Sequence, residues 1–176
     1  MPLVLLIGGA RSGKSTLALE LASGQSAQVV FLATAEAGDA EMGERIERHR
    51  LERPTHWQTI EEPLHLRQTI ESVDRDSCLI VDCLTLWVAN ALEPHGEWAV
   101  EAEAATCAGL AAARAGLTIA VTNEVGLGIV PDSALGRTYR DLLGRVNASF
   151  AEAAEEALLV VAGRTLTLDR ANERRS

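Results

Sequence analysis

The stretch "LVLLIGGARSGKS", residues 3–15, decides the fold of this chain. Its first five residues form an apolar run typical of a buried strand, and the "STLALELA" that follows has a helical pattern. Between them, from Gly8 to Ser15, lies the complete pattern G-x-x-x-x-G-K-[ST]. A glycine turn with a chance Gly-Lys pair would need neither the strand nor the helix. We therefore predict a phosphate-binding P-loop at the head of an α/β sheet.

The P-loop residues are predicted to bind a nucleoside triphosphate: Gly8, Gly9, Ala10, Arg11, Ser12, Gly13, Lys14 and Ser15. Glycines let the backbone curve closely, so that successive N–H groups point at phosphate oxygens. The helix that follows adds its positive N-terminal end. Lys14 is expected to act in catalysis near the β- and γ-phosphates, and the Ser15 hydroxyl to bind Mg²⁺.

The rest of the chain alternates short apolar runs with longer helical patterns. Strands are predicted at 3–7, 28–33, 78–82, 117–122 and 157–161, with helices at about 15–23, 40–52, 63–73, 97–114 and 133–156. A last strand, 164–168, follows its predecessor after Gly163 alone, so it must be antiparallel, because parallel strands need a long crossover. The predicted fold is α/β, a P-loop NTPase-type, mostly parallel sheet flanked by helices, with an antiparallel C-terminal edge strand. Residues 1–170 are predicted to form a single nucleotide-binding domain, and 171–176 a frayed polar tail.

The composition excludes several classes of function. A hydrophobic share of 47% with 23% charged residues is typical of a globular protein. The net charge of −9 disfavours nucleic-acid binding. Three cysteines without a C-x-x-C pair favour neither disulfides nor zinc, and suit the cytoplasm. We expect no secretory signal and no membrane span, because no apolar run is long enough.

An acidic residue closes the apolar run "CLIVD". In P-loop enzymes an acid at this place acts on Mg²⁺, so Asp82 is predicted to hold the metal together with Ser15. The ordinary alternative is an aspartate that ends a strand or caps the next helix.

A histidine stands among arginines in "EMGERIERHRLERPTHW", residues 41–57. If the stretch is helical, Ile46 and His49 share one stripe, Arg48 and Arg50 flank the histidine, and Arg53 lies near the helix end. Arginine forks match phosphate oxygens, and nearby cations favour the neutral, nucleophilic imidazole. The alternative is a solvated helix held by Glu–Arg pairs. Spacing alone leaves both interpretations open.

Several stretches taken together resemble one family in order and spacing: "GGARSGKS", "FLATAE", "HRLERPTHW", "DCLT", "TNEVGLGIVP" and "GRVN". It is the bifunctional adenosylcobinamide kinase / adenosylcobinamide-phosphate guanylyltransferase family of cobalamin synthesis, and the similarity covers about residues 1–163. The resemblance implies that adenosylcobinamide is first phosphorylated by ATP or GTP. GMP is then transferred from GTP to that phosphate through a covalent intermediate on a histidine, which matches His49. A homo-oligomer, expected to be a trimer, and Mg²⁺ are also implied.

The resemblance adds further nucleotide-binding residues: Ala33, Thr34, Ala35, Arg50, Leu51, Glu52, Arg53, Glu61 and Asp82. Glu61 is expected to accept hydrogen bonds from guanine; otherwise it is an acid before a helix opened by Pro63. Asn123 and Glu124 are expected to face the corrinoid or its hydroxyl. Their alternative is an ordinary turn before a helix capped by Asp132 or Ser133.

Two other functions remain as alternatives. A monofunctional P-loop kinase for a small metabolite shares the loop and Asp82 but gives His49 no covalent role. A GTP-dependent switch is the second, although "TNEVG" lacks the lysine and aspartate of the [NT]KxD guanine motif. A structural protein with a vestigial P-loop is disfavoured, because Lys14 and Ser15 are both intact.

Overall fold

The computed structural model describes residues 3–36, 38, 40–51 and 53–170. The predicted tail, residues 171–176, and the predicted nucleotide contact Glu52 lie outside the described residues. The strands are β1 Leu3–Gly8, β2 Val29–Ala33, β3 Gln58–Glu61, β4 Cys78–Asp82, β5 Thr118–Asn123, β6 Glu156–Val161 and β7 Arg164–Thr167. The helices are α1 Lys14–Ser23, α2 Ala40–Leu51, α3 Leu66–Ser72, α4 Leu84–His95, α5 Glu97–Ala112 and α6 Ala134–Ala153.

The strands form one seven-stranded sheet in the order β3-β2-β4-β5-β1-β6-β7. Every neighbouring pair is parallel except β6 and β7, which pair antiparallel from Val161–Arg164 to Leu158–Thr167. The prediction of a mostly parallel sheet with an antiparallel C-terminal edge is therefore confirmed. No described helix is both long and apolar enough to cross a lipid bilayer.

Both faces of the sheet are covered, which explains the unbroken apolar runs of its central strands. All six residues of β1 are buried. On one face the strands pack against α3, α4, α5 and α6, where Trp87 and Phe150 are the largest fully buried side chains. On the other face Ala18 and Ala22 of α1 pack against strand residues such as Val4. This arrangement brings the carboxyl ends of the parallel strands to one edge.

Two elements were not predicted. Helix α4 buries Leu84, Trp87, Val88 and Ala91, a helical i, i+3, i+4, i+7 pattern that the sequence analysis left unassigned. Strand β3 is only four residues long, and at the edge of the sheet none of its residues is fully buried. Such a strand lacks the apolar alternation on which strand prediction depends.

Two helix boundaries were predicted wrongly. Helix α3 begins at Leu66 rather than at 63, because the Glu62 carboxylate accepts the N–H groups of Leu64 (3.0 Å) and His65 (2.9 Å) and holds a turn there first. Helix α6 ends at Ala153, three residues before the predicted end. At the start of α6 the Ser133 hydroxyl accepts the N–H of Gly136. Of the two proposed caps, Asp132 and Ser133, the structure therefore uses Ser133.

Candidate active site

The P-loop curls around the side chain of Lys14, which opens helix α1. The Lys14 ammonium is buried and donates to the carbonyl oxygens of Gly8 (3.1 Å) and Gly9 (2.7 Å) and to the Ser12 hydroxyl (3.3 Å). Gly13, at φ 102°, adopts a left-handed conformation immediately before the helix. The sequence motif thus folds into a loop with the lysine charge at its centre.

The hairpin of β6 and β7 supports the P-loop from behind. The N–H of Gly163, in the hairpin turn, donates to the Ser12 carbonyl oxygen at 2.8 Å. A Cβ atom on Gly8 would lie 2.2 Å from the carbonyl oxygen of Val160, closer than folded proteins allow. Gly8 is therefore required where the loop leaves β1, because the neighbouring strand lies against it.

Asp82, at the end of β4, has the hydroxyl of Ser15 among the groups that act on its carboxyl. Burial raises the pKa of the Asp82 carboxyl, and the charge of His49, the Ser15 hydrogen bond and the charges of Arg53 and Lys14 oppose that rise. The carboxylate and the hydroxyl therefore form a pair of oxygen donors beside the P-loop. A carboxylate with a hydroxyl is the kind of partial ligand set that Mg²⁺ completes with phosphates and water.

The strand register aligns further predicted residues along the same edge. Ala33, the last residue of β2, lies opposite Glu61 on one side and Asp82 on the other. Gly8 lies opposite Asn123. Residues from five strands or loops therefore meet at the carboxyl edge, where parallel α/β sheets bind ligands.

Thr34, just beyond β2, braces the loop that follows β4. Its hydroxyl donates to the Cys83 carbonyl oxygen (2.7 Å) and accepts from the Cys83 N–H (2.9 Å). The Thr34 N–H donates to the Asp82 carbonyl oxygen (3.1 Å), and the Thr34 carbonyl oxygen accepts from Asn90 (2.8 Å). All polar groups of this buried residue are thus engaged inside the protein, whereas Ala35 next to it is partly accessible. Nucleotide contacts of either residue stay predictions.

The end of helix α2 lies against the end of β3. His49 is half-buried, whereas Arg48 and Arg50 are exposed. One nitrogen of Arg50 lies 3.6 Å from the Glu47 carboxylate and 3.8 Å from that of Glu61. The fold thus brings together Arg50 and Glu61, which the sequence analysis assigned to the same nucleotide, while Glu47 was not assigned to the site.

Arg53 ties the segment after α2 to the sheet. Its guanidinium carbon lies 3.7 Å from the ring centre of Phe31, a cation–π contact on the buried strand β2. The same cation lowers the pKa of Asp82, so Arg53 also acts on that carboxyl. Leu51, also predicted to contact the nucleotide, is 84% exposed.

Asn123 and Glu124 lie where β5 ends, directly beside the first glycine of the P-loop. The Glu124 N–H donates to the Gly8 carbonyl oxygen at 3.1 Å, and the Glu124 carboxylate accepts the Gly126 N–H. The main chain of Asn123 is held by Thr85 and Asn147.

The sequence analysis missed four residues that shape this edge: Thr85, Thr122, Asn147 and Gly163. Thr85 and Asn147 lie within the quoted stretches "DCLT" and "GRVN", but no role was assigned to them. Thr122 opens the quoted stretch "TNEVGLGIVP" and Gly163 was considered only as a turn, and no site role was assigned to either because their partners lie far away along the chain.

Comparison with known proteins identifies the family. Residues 4–168 match the family model described as "Cobinamide kinase / cobinamide phosphate guanyltransferase". A Pseudomonas aeruginosa protein named "Bifunctional adenosylcobalamin biosynthesis protein CobP" is 44% identical over 165 residues, covering 93% of this chain and 95% of its own. The Escherichia coli and Salmonella typhimurium proteins named "Bifunctional adenosylcobalamin biosynthesis protein CobU" are 41% and 38% identical, each covering 92% of this chain and 96% of its own.

Solved structures with low sequence identity support the fold alone. A type III secretion system ATPase of pathogenic bacteria superimposes with a TM-score of 0.59 at 11% identity, covering 99% of this chain and 60% of the other. PH0250 from Pyrococcus horikoshii superimposes with a TM-score of 0.57 at 8% identity, covering 94% and 85%. The family model and the curated relatives span nearly all of this chain. The chain therefore belongs to the cobinamide kinase / cobinamide phosphate guanyltransferase family of bifunctional enzymes.

Proposed function

We propose that the chain phosphorylates the aminopropanol hydroxyl of adenosylcobinamide with ATP or GTP. It then transfers GMP from GTP to the new phosphate through a covalent GMP–His49 intermediate, giving adenosyl-GDP-cobinamide. The observation that carries this proposal is the position of the end of α2, where His49 lies. Its neighbour Arg50 is 3.8 Å from Glu61, at the same sheet edge as Asp82 and the P-loop. The charge of His49 also acts on the Asp82 carboxyl, which supports an imidazole on the same side of the sheet edge as a triphosphate bound by the loop.

In the first reaction the substrate hydroxyl attacks the γ-phosphorus and releases its proton to water. The bond from the γ-phosphorus to the bridging oxygen breaks, and a nucleoside diphosphate leaves. Lys14 and the loop N–H groups stabilise the charge that develops on the phosphate oxygens. Asn123 and Glu124, beside Gly8 at the same edge, face the hydroxyl.

In the second reaction an imidazole nitrogen of His49 attacks the α-phosphorus of GTP. The bond from the α-phosphorus to the bridging oxygen breaks, pyrophosphate leaves, and a phosphoramidate joins GMP to the histidine. A terminal oxygen of cobinamide phosphate then attacks the same phosphorus, and the P–N bond breaks to release the free imidazole. The covalent intermediate thus divides one difficult transfer into two easier ones.

Ser15 and Asp82 are proposed to hold Mg²⁺, since a hydroxyl and a carboxylate beside the P-loop supply two of its preferred oxygen ligands. When bound, the ion would neutralise charge on the phosphates. Of the two ordinary alternatives for Asp82, ending a strand is what it does, since β4 ends there. Capping the next helix finds no support, because the N-cap of α4 is Cys83.

Recognition of the nucleotide is proposed to use the residues around the end of α2. The Glu61 carboxylate can accept both hydrogens on the N1 and N2 edge of guanine, and Arg50 and Arg53 can bind the triphosphate. The 3.8 Å pair of Arg50 and Glu61 supports a common binding surface. Ala33, Thr34, Ala35 and Leu51 complete the proposed nucleotide-binding set.

His49→Ala separates this proposal from a monofunctional kinase. We expect the variant to retain ATP-dependent phosphorylation of cobinamide, because γ-phosphoryl transfer needs no imidazole, and to lose GMP transfer to cobinamide phosphate. His56→Ala is the control, since His56 is exposed and packs edge-on against Trp57. Full GMP transfer by His49→Ala would refute the covalent step, and the absence of GMP transfer in the unsubstituted protein would favour the kinase alone.

We further propose a homo-oligomer, expected to be a trimer, of single P-loop domains spanning residues 1–170 and working in the cytoplasm. The loop after Glu124 supports association: Leu127, Ile129 and Val130 are 86%, 96% and 55% exposed, and Leu135 beyond them is 69% exposed. Apolar side chains concentrated on one loop are typical of surfaces that another molecule covers. Light scattering of the purified protein would test the expected stoichiometry.

A further inference from the structure

A closed ring of hydrogen bonds surrounds the main chain of Asn123. Its N–H donates to the Thr85 hydroxyl (2.7 Å), and its carbonyl oxygen accepts from the Asn147 amide nitrogen (3.1 Å). The Thr122 hydroxyl donates to the Asn147 amide oxygen (2.7 Å) and lies 3.4 Å from the Thr85 hydroxyl. The ring therefore joins strand β5 to helix α4 through Thr85 and to helix α6 through Asn147.

The direction of each hydrogen bond follows by elimination. The Asn147 amide oxygen has no hydrogen, so Thr122 must donate to it and has no second hydrogen for Thr85. Thr85 must then donate to Thr122, which leaves its oxygen free to accept from Asn123. Donors and acceptors therefore run in one sense around the ring, and every member is satisfied by the next.

The ring is well protected from water. Thr122 is fully buried, and Asn147 and Thr85 are only 5% and 7% exposed. A further hydrogen bond holds Thr85 in place: the Tyr139 hydroxyl donates to the Thr85 carbonyl oxygen at 3.1 Å. Buried networks in which every group is paired specify one arrangement, since any break leaves a polar group without a partner in a dry environment.

The ring holds the main chain of the segment that lies beside the P-loop, residues 123–124. Asn123 lies opposite Gly8 in the sheet, and the next N–H, of Glu124, donates to the Gly8 carbonyl oxygen. A shift of the Asn123 main chain would therefore move Asn123 and Glu124 relative to the phosphates that the P-loop is proposed to bind.

We propose that Thr85, Thr122 and Asn147 are positioning residues for the kinase reaction: they hold the main chain of residues 123–124 so that cobinamide's hydroxyl lines up with the γ-phosphate. The inference rests on the proposed function, and it assigns the ring to phosphoryl transfer rather than to formation of the GMP–histidine adduct. Misplacing a reacting group by about 1 Å can lower a rate about 100-fold.

A matched pair of substitutions on β5 tests this role. Thr118 and Thr122 lie four residues apart on the same face of the strand and are both fully buried, but the Thr118 hydroxyl makes no hydrogen bond. Thr122→Val should lower kcat for ATP-dependent phosphorylation of cobinamide at least 10-fold, with KM for ATP and the rate of GMP–enzyme formation from GTP within about 2-fold. Thr118→Val should match the unsubstituted protein in all three, and Thr122→Ser, which keeps the hydroxyl, should restore kcat.

Asn147→Leu gives a second break in the ring and should show the same selective loss. A kcat within 2-fold of the unsubstituted value in folded Thr122→Val and Asn147→Leu would overturn the positioning role. So would an equal loss of phosphorylation and GMP–enzyme formation, which would make the ring merely structural. If the unsubstituted protein itself fails to phosphorylate cobinamide, the proposed function fails, and that result is distinguishable from the other two.

Discussion

Two adjacent glycines in the P-loop should respond very differently to the same substitution. A Cβ atom on Gly8 would lie 2.2 Å from the Val160 carbonyl oxygen, whereas a Cβ atom on Gly9 meets nothing within 4 Å. Carbon–oxygen contacts between strands normally lie at about 3.3–3.6 Å, so Gly8→Ala must push β1 and β6 apart by about 1 Å. The obstacle is backbone and cannot rotate away.

The cost of this displacement can be bounded. Overpacking a well-packed interior destabilises a protein by about 1–3 kcal/mol. For a chain of this length each kcal/mol lowers the thermal midpoint by about 2–4 °C, so Gly8→Ala should melt about 2–12 °C below the unsubstituted protein. The shift also moves the P-loop, so phosphorylation of cobinamide should fall about 100-fold.

Thermal unfolding followed by circular dichroism, without nucleotide, is the direct assay. Gly9→Ala is the control, and its midpoint should stay within about 2 °C of the unsubstituted value, as expected for a substitution outside any tight contact. Equal midpoints for Gly8→Ala, Gly9→Ala and the unsubstituted protein would refute the argument that the sheet closes against Gly8.

Three further predictions address recognition, stability and pH. Glu61→Gln should raise KM for GTP in GMP transfer roughly 10-fold, because an amide cannot accept both guanine hydrogens. ATP-dependent phosphorylation and the melting temperature should not change, because the exposed pair of Glu61 with Arg50 contributes little to stability. Arg114→Met should lower the free energy of unfolding in urea by about 3 kcal/mol, since the buried guanidinium donates to three carbonyl oxygens of the loop before β4. Arg75→Met removes one exposed hydrogen bond and should lower it by less than about 1 kcal/mol. Similar losses in the two variants would contradict this reasoning. Burial raises the pKa of Cys107 to about 12, so the folded protein keeps a proton that the unfolded chain releases above about pH 8.5. The free energy of unfolding should therefore fall more steeply from pH 8 to 10 in the unsubstituted protein than in Cys107→Ala. Parallel pH profiles of the two proteins would refute this prediction.

Local patterns predicted the parts of the site that lie close together in sequence. The P-loop is one continuous segment, and its signal combines glycine spacing, a preceding strand and a following helix. The antiparallel direction of β7 followed from chain length, because a single glycine cannot span a parallel crossover. The acid that ends β4 was also predicted, and the structure places it opposite Ala33 at the end of β2.

Long-range contacts set the limit of that prediction. Thr122 and Asn147 are 25 positions apart and Thr85 and Thr122 are 37 apart, so no local pattern indicates that their side chains meet. The bond from Gly163 to Ser12 is similarly invisible, because it depends on β6 lying beside β1. The family resemblance assigned Thr34 to the nucleotide, and that contact stays a prediction; what the sequence could not show is that its polar groups bind Asp82, Cys83 and Asn90.

The central claim is that His49 carries GMP. The direct measurement is to mix the protein with Mg²⁺ and GTP labelled at either the α- or the γ-phosphate, and then to map the label on proteolytic peptides by tandem mass spectrometry. We predict α-label alone, stable in base and labile in acid, on the peptide that contains His49, and none in His49→Ala. Label from the γ-phosphate, or a GMP adduct that persists on Lys14 or His56 after His49 is replaced, would contradict the account.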